Sequence, residues 1–462
     1  MTDPRTVVPE LATVLEPVDK GSPKVEPIDR RRFLRTTAAG AATTLGFGFP
    51  TIIPRSALAQ GNRPGANDRI TMAGVGVGRQ GGHIFSEAAR DPRVQIVCVC
   101  DVNRPRAEQH AKAQGVKDVY QDYRRVLDRD DVDAITTATP EHWRANVCIA
   151  AALAGKHIYA EKPLTLTIPE GRAMVIAARK TGITFQVGSQ QRSQRENLIG
   201  CEFIRNGGLG KIQEVFAANY ESPWLGDFPA EPIPEGLDWE MWCGPTEPVP
   251  FHREIYTPRG LPGWLSLRPY SGGEMTGWGT HGFDQIAWAL GLDHTGPTEI
   301  LVDGAPLKMP VYDKAESMER GQQICSRPRL AYRYANGITV RLDKGNRGGG
   351  IFVGDQGKME VFRGALGSNP AELAEELLAK DPRQPRSHVG NWIDCCYSGE
   401  LPIADVEIGH RSATICHLLN IGRLLGRNLT WDPEAERFVG DEEANEMLTR
   451  KVRKGYEPPT VS

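Results

Sequence analysis

Several features that would assign a class at once are missing from this sequence. Its 462 residues carry a formal net charge of only −3, so there is no broad basic surface to neutralise phosphates, and no nucleic-acid partner is expected. The nine cysteines (Cys98, Cys100, Cys148, Cys201, Cys243, Cys325, Cys395, Cys396 and Cys416) are odd in number and lack metal-ligand spacing. No metal site is therefore expected. Cys98 and Cys100 sit in an apolar run and read as small buried hydrophobes. No internal repeat is present. With 40% hydrophobic and 24% charged residues, the composition makes no case for disorder, collagen or a membrane bundle. What remains is a globular chain with a small-molecule partner, and at roughly 150 residues per domain its length predicts two domains plus accessory segments.

The first of these segments reads as an address. Asp29-Arg30-Arg31-Arg32-Phe33-Leu34-Arg35 precedes a mildly apolar stretch from Thr36 to Ile53, followed by Ser56-Ala57-Leu58-Ala59-Gln60. A charged region, a short weakly hydrophobic region and small residues two apart before a cut resemble a twin-arginine export signal. Gly40, Gly46, Gly48 and Pro50 interrupt the apolar part, which is short for a bilayer span of roughly 20 residues. Cleavage is expected after Ala59, and the mature protein is expected in the periplasm or otherwise outside the cytoplasm. The twin-arginine route exports folded proteins, commonly with a cofactor already seated. Folding before export also lets the cysteines stay reduced at an oxidising destination.

From Arg69 onward, short apolar runs alternate with helical stretches, the rhythm of βαβ units around a buried parallel sheet. Strands are predicted at Ile70–Val75, Val94–Cys100, Ala134–Ala138, His157–Ala160 and Thr184–Val187. Helices are predicted near Gly81–Ala89, Pro105–Gln114, Tyr123–Asp128, Ala145–Leu153 and Pro169–Thr181. The first strand runs into Gly76-Val77-Gly78-Arg79-Gln80-Gly81. In this context Gly76 permits a tight turn, Gly78 lets the backbone approach a pyrophosphate, and Gly81 lets the helix pack close to the strand. Asp101 ends the second strand 20 residues after Gly81, where a carboxylate accepts hydrogen bonds from an adenosine ribose and repels a 2′-phosphate. NAD is therefore the expected cofactor. Arg104 keeps NADP as the other candidate, because an arginine there can pair with a 2′-phosphate.

Two further loops follow strand ends, where an open α/β sheet binds its ligand: Thr139-Pro140-Glu141-His142 and Glu161-Lys162-Pro163. Together with the glycine turn, and in this order, they resemble the Gfo/Idh/MocA family, named for glucose-fructose oxidoreductase and inositol dehydrogenase. The resemblance covers roughly residues 67–441. It implies that Lys162 lies beside the nicotinamide and the reacting hydroxyl, and that Pro163 follows a cis peptide. A lysine there can orient the substrate oxygen and stabilise charge that develops on it. The bland alternative is a surface salt bridge between Lys162 and Glu161.

After Gly188 the pattern changes to a helix near Asn197–Asn206 and longer strands suited to a largely antiparallel sheet. These are predicted at Ile212–Tyr220, Glu299–Val302, Ala331–Tyr334, Thr339–Asp343, Gly350–Gly354 and Lys358–Phe362. Asn336-Gly337 marks a hairpin turn. The tract Pro223–Pro269 is rich in tryptophan (Trp224, Trp239, Trp242 and Trp264) and reads as an ordered loop layer. Its rings either stack on sugar faces or pack the insertion onto the domain. Further on, Gly279-Thr280-His281-Gly282-Phe283-Asp284 leads into an apolar helix. The resemblance gives this segment a catalytic histidine, His281, as general base near its working pH; the alternative is a core histidine. The sequence also departs from the family here. Inositol-dehydrogenase-like members carry an aspartate four residues before the histidine, where this chain has Gly277, and Asp284 or Glu274 are the substitutes to consider. Two closing helices are expected around His388–Asp394 and after Asp405, with His388 and His410 assigned to packing.

The expected fold class is α/β, with an N-terminal Rossmann domain and a C-terminal α+β domain built on a large, mostly antiparallel sheet. The segments are a signal peptide (1–59), a Rossmann domain (60–188), a substrate and oligomerisation domain (189–440) and a tail (441–462). Lys162 and His281 are the expected catalytic residues. Gly76, Gly78, Arg79, Gln80, Gly81, Asp101, Thr139, Pro140, His142, Glu161 and Lys162 are expected to hold the dinucleotide, and Gln191, Arg192, Trp278 and Asp284 the substrate. The resemblance implies an NAD(P)-dependent oxidoreductase acting on a hydroxyl of a carbohydrate, polyol or cyclitol. It also implies a homo-oligomer (dimer or tetramer), and the leader implies the twin-arginine translocation machinery as an export partner. Two other readings stay open: a glycosidase or epimerase that oxidises its substrate transiently with tightly bound NAD, and a non-catalytic sugar-binding protein with structural NAD.

Overall fold

The computed structural model describes residues 64–257, 263–313, 323–343 and 345–461; the expected leader lies outside the described residues. Six parallel strands form the first sheet: β1 (Ile70–Val75), β2 (Val94–Cys100), β3 (Val119–Tyr120), β4 (Ala134–Thr137), β5 (His157–Ala160) and β6 (Phe185–Val187), in the order β3-β2-β1-β4-β5-β6. Every residue of β4 and all but one of β1 are buried, as expected for parallel strands covered on both faces by helices. The crossovers are well punctuated. The helix Ile168–Thr181 opens with a capping box between Thr167 and Glu170 and ends at Gly182, whose φ is 68°.

The second sheet has nine strands, in the order β15 (Ala365–Asn369), β14 (Gly357–Phe362), β13 (Gly350–Gly354), β7 (Ile212–Ala217), β12 (Thr339–Leu342), β11 (Arg329–Arg333), β9 (Glu299–Asp303), β16 (Leu429–Asp432) and β17 (Arg437–Phe438). All neighbours are antiparallel except β7 and β12. The β11–β12 hairpin turns at Asn336-Gly337, with Gly337 at φ 87°. Val215, Tyr332, Val340 and Phe352 point from this sheet into a core shared with Phe283 and Ile286 of the helix Gly279–Leu290 and with Ile415 and Leu418 of the helix Val406–Leu425. Burying each such side chain is worth about 1.5–3 kcal/mol.

The first closing helix, His388–Ser398, covers the Rossmann core through Val389, Trp392 and Ile393. A small parallel pair, β8 (Leu225–Gly226) and β10 (Val311–Tyr312), belongs to the tryptophan-rich tract. That tract forms a layer of its own, in which Trp224, Trp239, Trp242, Phe251 and Tyr270 pack together. It also lies against the rim of the first sheet. The amide of Arg104 donates to the Gly236 carbonyl at 2.9 Å, the amide of Asp238 to Val102 at 2.9 Å, and the indole of Trp143 to Met241 at 2.8 Å.

Differences from the sequence expectations are local, and one of them matters for the site. The helix expected from Ala145 starts at Glu141. Pro140 at its boundary and the acidic Glu141 in its first turn are the physical reason for the early start. Strands β3, β8, β10, β15, β16 and β17 were not anticipated.

Candidate active site

A cavity of about 630 Å³ runs along the carboxyl ends of β1, β2, β4 and β5 and under the second domain. In the order β3-β2-β1-β4-β5-β6 the chain reverses direction across the sheet between β1 and β4, and it is there that an open α/β sheet has its crevice. The glycine turn lines this crevice. Gly76 has φ 72°, and a side chain on it would meet Thr139 at 3.0 Å. A Cβ on Gly81 would lie 2.0 Å from the Gly76 carbonyl, so the helix Arg79–Ala89 can approach β1 only with glycine at that position. A Cβ on Gly78 would have open space, with its nearest neighbour, Arg106, 3.7 Å away. The three glycines thus provide a turn, a close packing contact and an open face for a phosphate at a helix N-terminus that no side chain caps. These features fit a dinucleotide.

Asp101, buried at the end of β2, lines the same cleft. Its Oδ1 accepts from the Asn103 amide at 2.9 Å and lies 3.5 Å from the Arg106 guanidinium. Burial pushes its carboxyl up, and Arg106 partly offsets this. Arg106 in turn lies 5.4 Å over the Tyr256 ring. Arg104, expected as the neighbouring cation, instead pairs with Glu108 on the surface at 2.8 Å.

At the other end, Thr139 and Pro140 follow β4, and Glu161 and Lys162 follow β5; all four line the cleft. The Lys162–Pro163 peptide is cis, as the resemblance implied. Lys162 Nζ donates to the Gly277 carbonyl at 2.9 Å. The position where an aspartate was expected therefore offers its backbone oxygen to the lysine. Glu161 is buried, accepts from Gln80 at 3.2 Å and Gln190 at 2.5 Å, and is pushed up by burial against the pull of Lys162. Arg144 ties the two loops together by donating to the carbonyls of Thr139 and Pro163.

His281 sits in the first turn of Gly279–Leu290 and lines the cleft with Trp278, whose ring centroid is 5.7 Å from its own. The Arg363 guanidinium lies 3.3 Å from His281 Nε2. A guanidinium has no acceptor, so Nε2 accepts this bond and carries no proton. Of the two proposed carboxylates, Asp284 faces away from the cleft, held by Arg192 and by Ser412 at 2.9 Å. Glu274 lies 3.9 Å from Arg347.

Four expected ligand residues lie outside the cleft. His142 turns inward because the helix begins at Glu141. Its Nε2 meets the Trp242 carbonyl at 2.9 Å, and burial lowers its pKa to about 4. Gln191 is buried and donates to Gln285 and to the Gly348 carbonyl. Arg192 and Asp284 form a buried pair at 2.9 Å, which Asp293 completes from the other side of the guanidinium at 2.9 Å. Gln191, Arg192 and Asp284 are bonded within the second domain and do not line the cleft. Residues the sequence reading did not single out take their place: Arg363, Gln190, Arg144, Trp143 and Tyr256 line the cleft, as do Trp242 and Trp264 of the tract. Arg363 and Gly364 form a two-residue turn joining β14 to β15, with Gly364 at φ 69°. An Arg-Gly pair following a predicted strand was the available signal.

Comparison with known proteins agrees with this architecture. Residues 69–189 match the NAD-binding Rossmann fold of the Gfo/Idh/MocA oxidoreductase family, and residues 210–458, more than half of the chain, match the C-terminal α/β domain of that family. A levoglucosan dehydrogenase from Pseudarthrobacter phenanthrenivorans is 33% identical over 135 residues, which is 29% of this chain and 34% of the relative. A glycosyl hydrolase family 109 protein from Shewanella pealeana is 28% identical over 212 residues, covering 41% of this chain and 46% of the relative. The chain thus spans less than half the length of either relative. Among solved structures, a levoglucosan dehydrogenase in complex with NADH and levoglucosan superimposes with a TM-score of 0.54 at 19% identity, over 78% of this chain and 99% of that one.

Proposed function

The chain belongs to the Gfo/Idh/MocA oxidoreductase family, and from that premise we propose that it oxidises a hydroxyl of a sugar, sugar derivative or cyclitol with NAD. The observation that carries this reading is the meeting of Lys162 and His281, from different domains, in the cleft that also holds the Gly76–Gly81 turn and Asp101. The turn and the first turn of the helix Arg79–Ala89 would hold the pyrophosphate, Asp101 the adenosine ribose, and Thr139, Pro140 and Glu161 the nicotinamide end. When bound, NAD supplies the hydride acceptor. Lys162, fixed by the Gly277 carbonyl, orients the substrate oxygen and stabilises charge that builds on it. His281 takes the hydroxyl proton at Nε2, the nitrogen that carries none in the resting site.

A redox-neutral variant, glycoside cleavage or epimerisation with retained NAD, has its own support. Gly236, Asp238 and Met241 of the tryptophan-rich tract are bonded to the rim of the first sheet beside Asp101, which favours a cofactor that stays through turnover, and one relative is named a glycosyl hydrolase. A single experiment separates the two readings. Denaturing the purified protein before and after incubation with sugars and glycosides releases the dinucleotide for assay. Reduced cofactor supports net oxidation, whereas oxidised cofactor with consumed glycoside supports the redox-neutral reaction. Protein free of dinucleotide in both samples, and unable to take it up, counts against both.

Residues 1–59 we take as a twin-arginine leader that exports the folded protein. Sequencing the mature protein should give Gln60 first, and an intact Met1 would refute cleavage. The nine-stranded sheet we take as the contact of a homodimer or tetramer, which light scattering tests.

A further inference from the structure

Building on the oxidoreductase reading, the charges at the reacting end point to a class of substrate. The cleft is lined by the cations Arg79, Arg106, Arg144, Lys162 and Arg363, against the carboxylates Asp101 and Glu161. Three of the cations have protein partners: Arg106 faces Asp101, Arg144 holds two loop carbonyls, and Lys162 holds the Gly277 carbonyl beside Glu161. Arg79 is exposed at the start of the helix Arg79–Ala89, beside the glycine turn. Arg363 is different. It is exposed on the β14–β15 turn, lies 5.7 Å over the Trp278 ring, and makes no ion pair among the described residues. Its hydrogen bond goes to His281 Nε2, and so occupies the lone pair that a general base must offer.

We propose that the substrate is a sugar or cyclitol carrying an oxyanion, in the first place a carboxylate, near the carbon that is oxidised, and that this group draws Arg363 away from His281. A carboxylate matches the guanidinium fork with two parallel bonds, and such a charge-assisted pair is stronger than a bond to a neutral imidazole. Binding thereby frees Nε2 for the hydroxyl. The C–H bond then breaks with its electron pair leaving as hydride to NAD⁺, the O–H proton passes to Nε2, and a C=O bond forms while the carboxylate is unchanged. A neutral sugar offers Arg363 only single, uncharged hydroxyl acceptors, which compete less well with the His281 lone pair.

The test uses the full-length protein loaded with NAD and matched ligands: glucuronate against glucose, galacturonate against galactose, and glucose 6-phosphate as the phosphate arm. Affinity is read by calorimetry and kcat/KM by cofactor absorbance. The expected result is binding of an acid at least about tenfold tighter than its neutral partner. Arg363→Gln should abolish that difference without changing the thermal midpoint or the NAD content. Preference for the phosphate alone would identify the oxyanion as phosphate. Equal affinity for acids and neutral sugars, no binding of any anion, or a preference that survives Arg363→Gln overturns the proposal. The two readings fail separately. Neutral sugars that reduce the cofactor as fast as acids leave the oxidoreductase standing and remove the anion, whereas acids held by Arg363 without any cofactor reduction do the reverse.

Discussion

The helix Gly279–Leu290 faces two different environments. On one side His281 lines the cleft and accepts a bond from an exposed arginine. One turn further on, Asp284 faces the core, where both of its oxygens meet Arg192 and one also accepts from Ser412. A histidine and an aspartate at this spacing are the residue types expected to work as a pair, yet their partners separate them. Arg192 is 2% exposed and carries a full charge, so it needs Asp284 and Asp293 around it; removing one partner of such a group leaves an uncompensated buried charge. The contrast gives a rule for this helix: Asp284, whose bonds are all internal and buried, holds the fold, while His281, whose partner Arg363 is exposed, lines the cleft.

The rule can be broken from either side. Lys162→Ala should slow cofactor reduction by roughly 10²–10⁴-fold and leave bound NAD and the thermal midpoint in place, as single-turnover absorbance and calorimetry would read. An unchanged rate would move Lys162 out of the reacting centre. Asp284→Ala should do the opposite, lowering the unfolding free energy by about 3–5 kcal/mol in a urea titration while turnover per folded molecule holds. The two energies are of similar size, since the Lys162 loss is about 3–5 kcal/mol in the barrier. Only the quantity that moves differs. Lost turnover at full stability would place Asp284 in the cleft after all.

The cofactor half of this picture was legible because it is written in backbone. Gly76, Gly78 and Gly81 encode a turn, an open face and a close contact, and these follow from spacing alone; β1, β2 and β5 occur over the residues predicted. The reacting half depends on side chains brought together from distant strands, which spacing does not encode. His142 was misplaced by one short error, a helix start set four residues late, since each residue turns the side chain by about 100° around the axis. Arg363 was missed because β15, Ala-Leu-Gly-Ser-Asn, is poor in strand-forming residues. Of the tryptophans in the tract, Trp242 and Trp264 reach the cleft, whereas Trp224 and Trp239 do not line it, and nothing in the sequence separates the two pairs.

A third buried histidine site extends the comparison to pH. His410 Nε2 lies 2.7 Å from Glu436, which Arg172 also holds at 2.7 Å. Burial alone would raise the Glu436 carboxyl, but the bonds from His410 and Arg172 outweigh it and hold the value at about 2, below the usual 4.5. A depressed carboxylate stabilises the fold above its unfolded value and loses that contribution as pH falls toward its folded one. Stability should therefore decline between pH 4.5 and about 2, by up to about 3 kcal/mol from this group. The His410 imidazole, pushed down by burial, adds a loss of the same sign. Glu436→Gln should lower stability at neutral pH and flatten the acid limb of a thermal-midpoint profile. An unaltered limb would mean that other carboxylates carry the acid transition.

The smallest expected effect lies back in the cleft, where Asp101, like Glu161, is a buried carboxylate that lines it. Its charge opposes a 2′-phosphate, but burial raises its pKa and Arg106 stands 3.5 Å away, so the repulsion is weaker than that of an isolated charge. Asp101→Ala should relax discrimination against NADP by about tenfold, about 1.4 kcal/mol, because it removes the repulsion and releases Arg106 toward the phosphate. Titrating both dinucleotides into cofactor-free protein gives the ratio directly. If the ratio stays fixed, selection belongs to the shape of the pocket around Gln121 and Tyr256. Asp101 would then join Asp284 among the carboxylates that serve the fold.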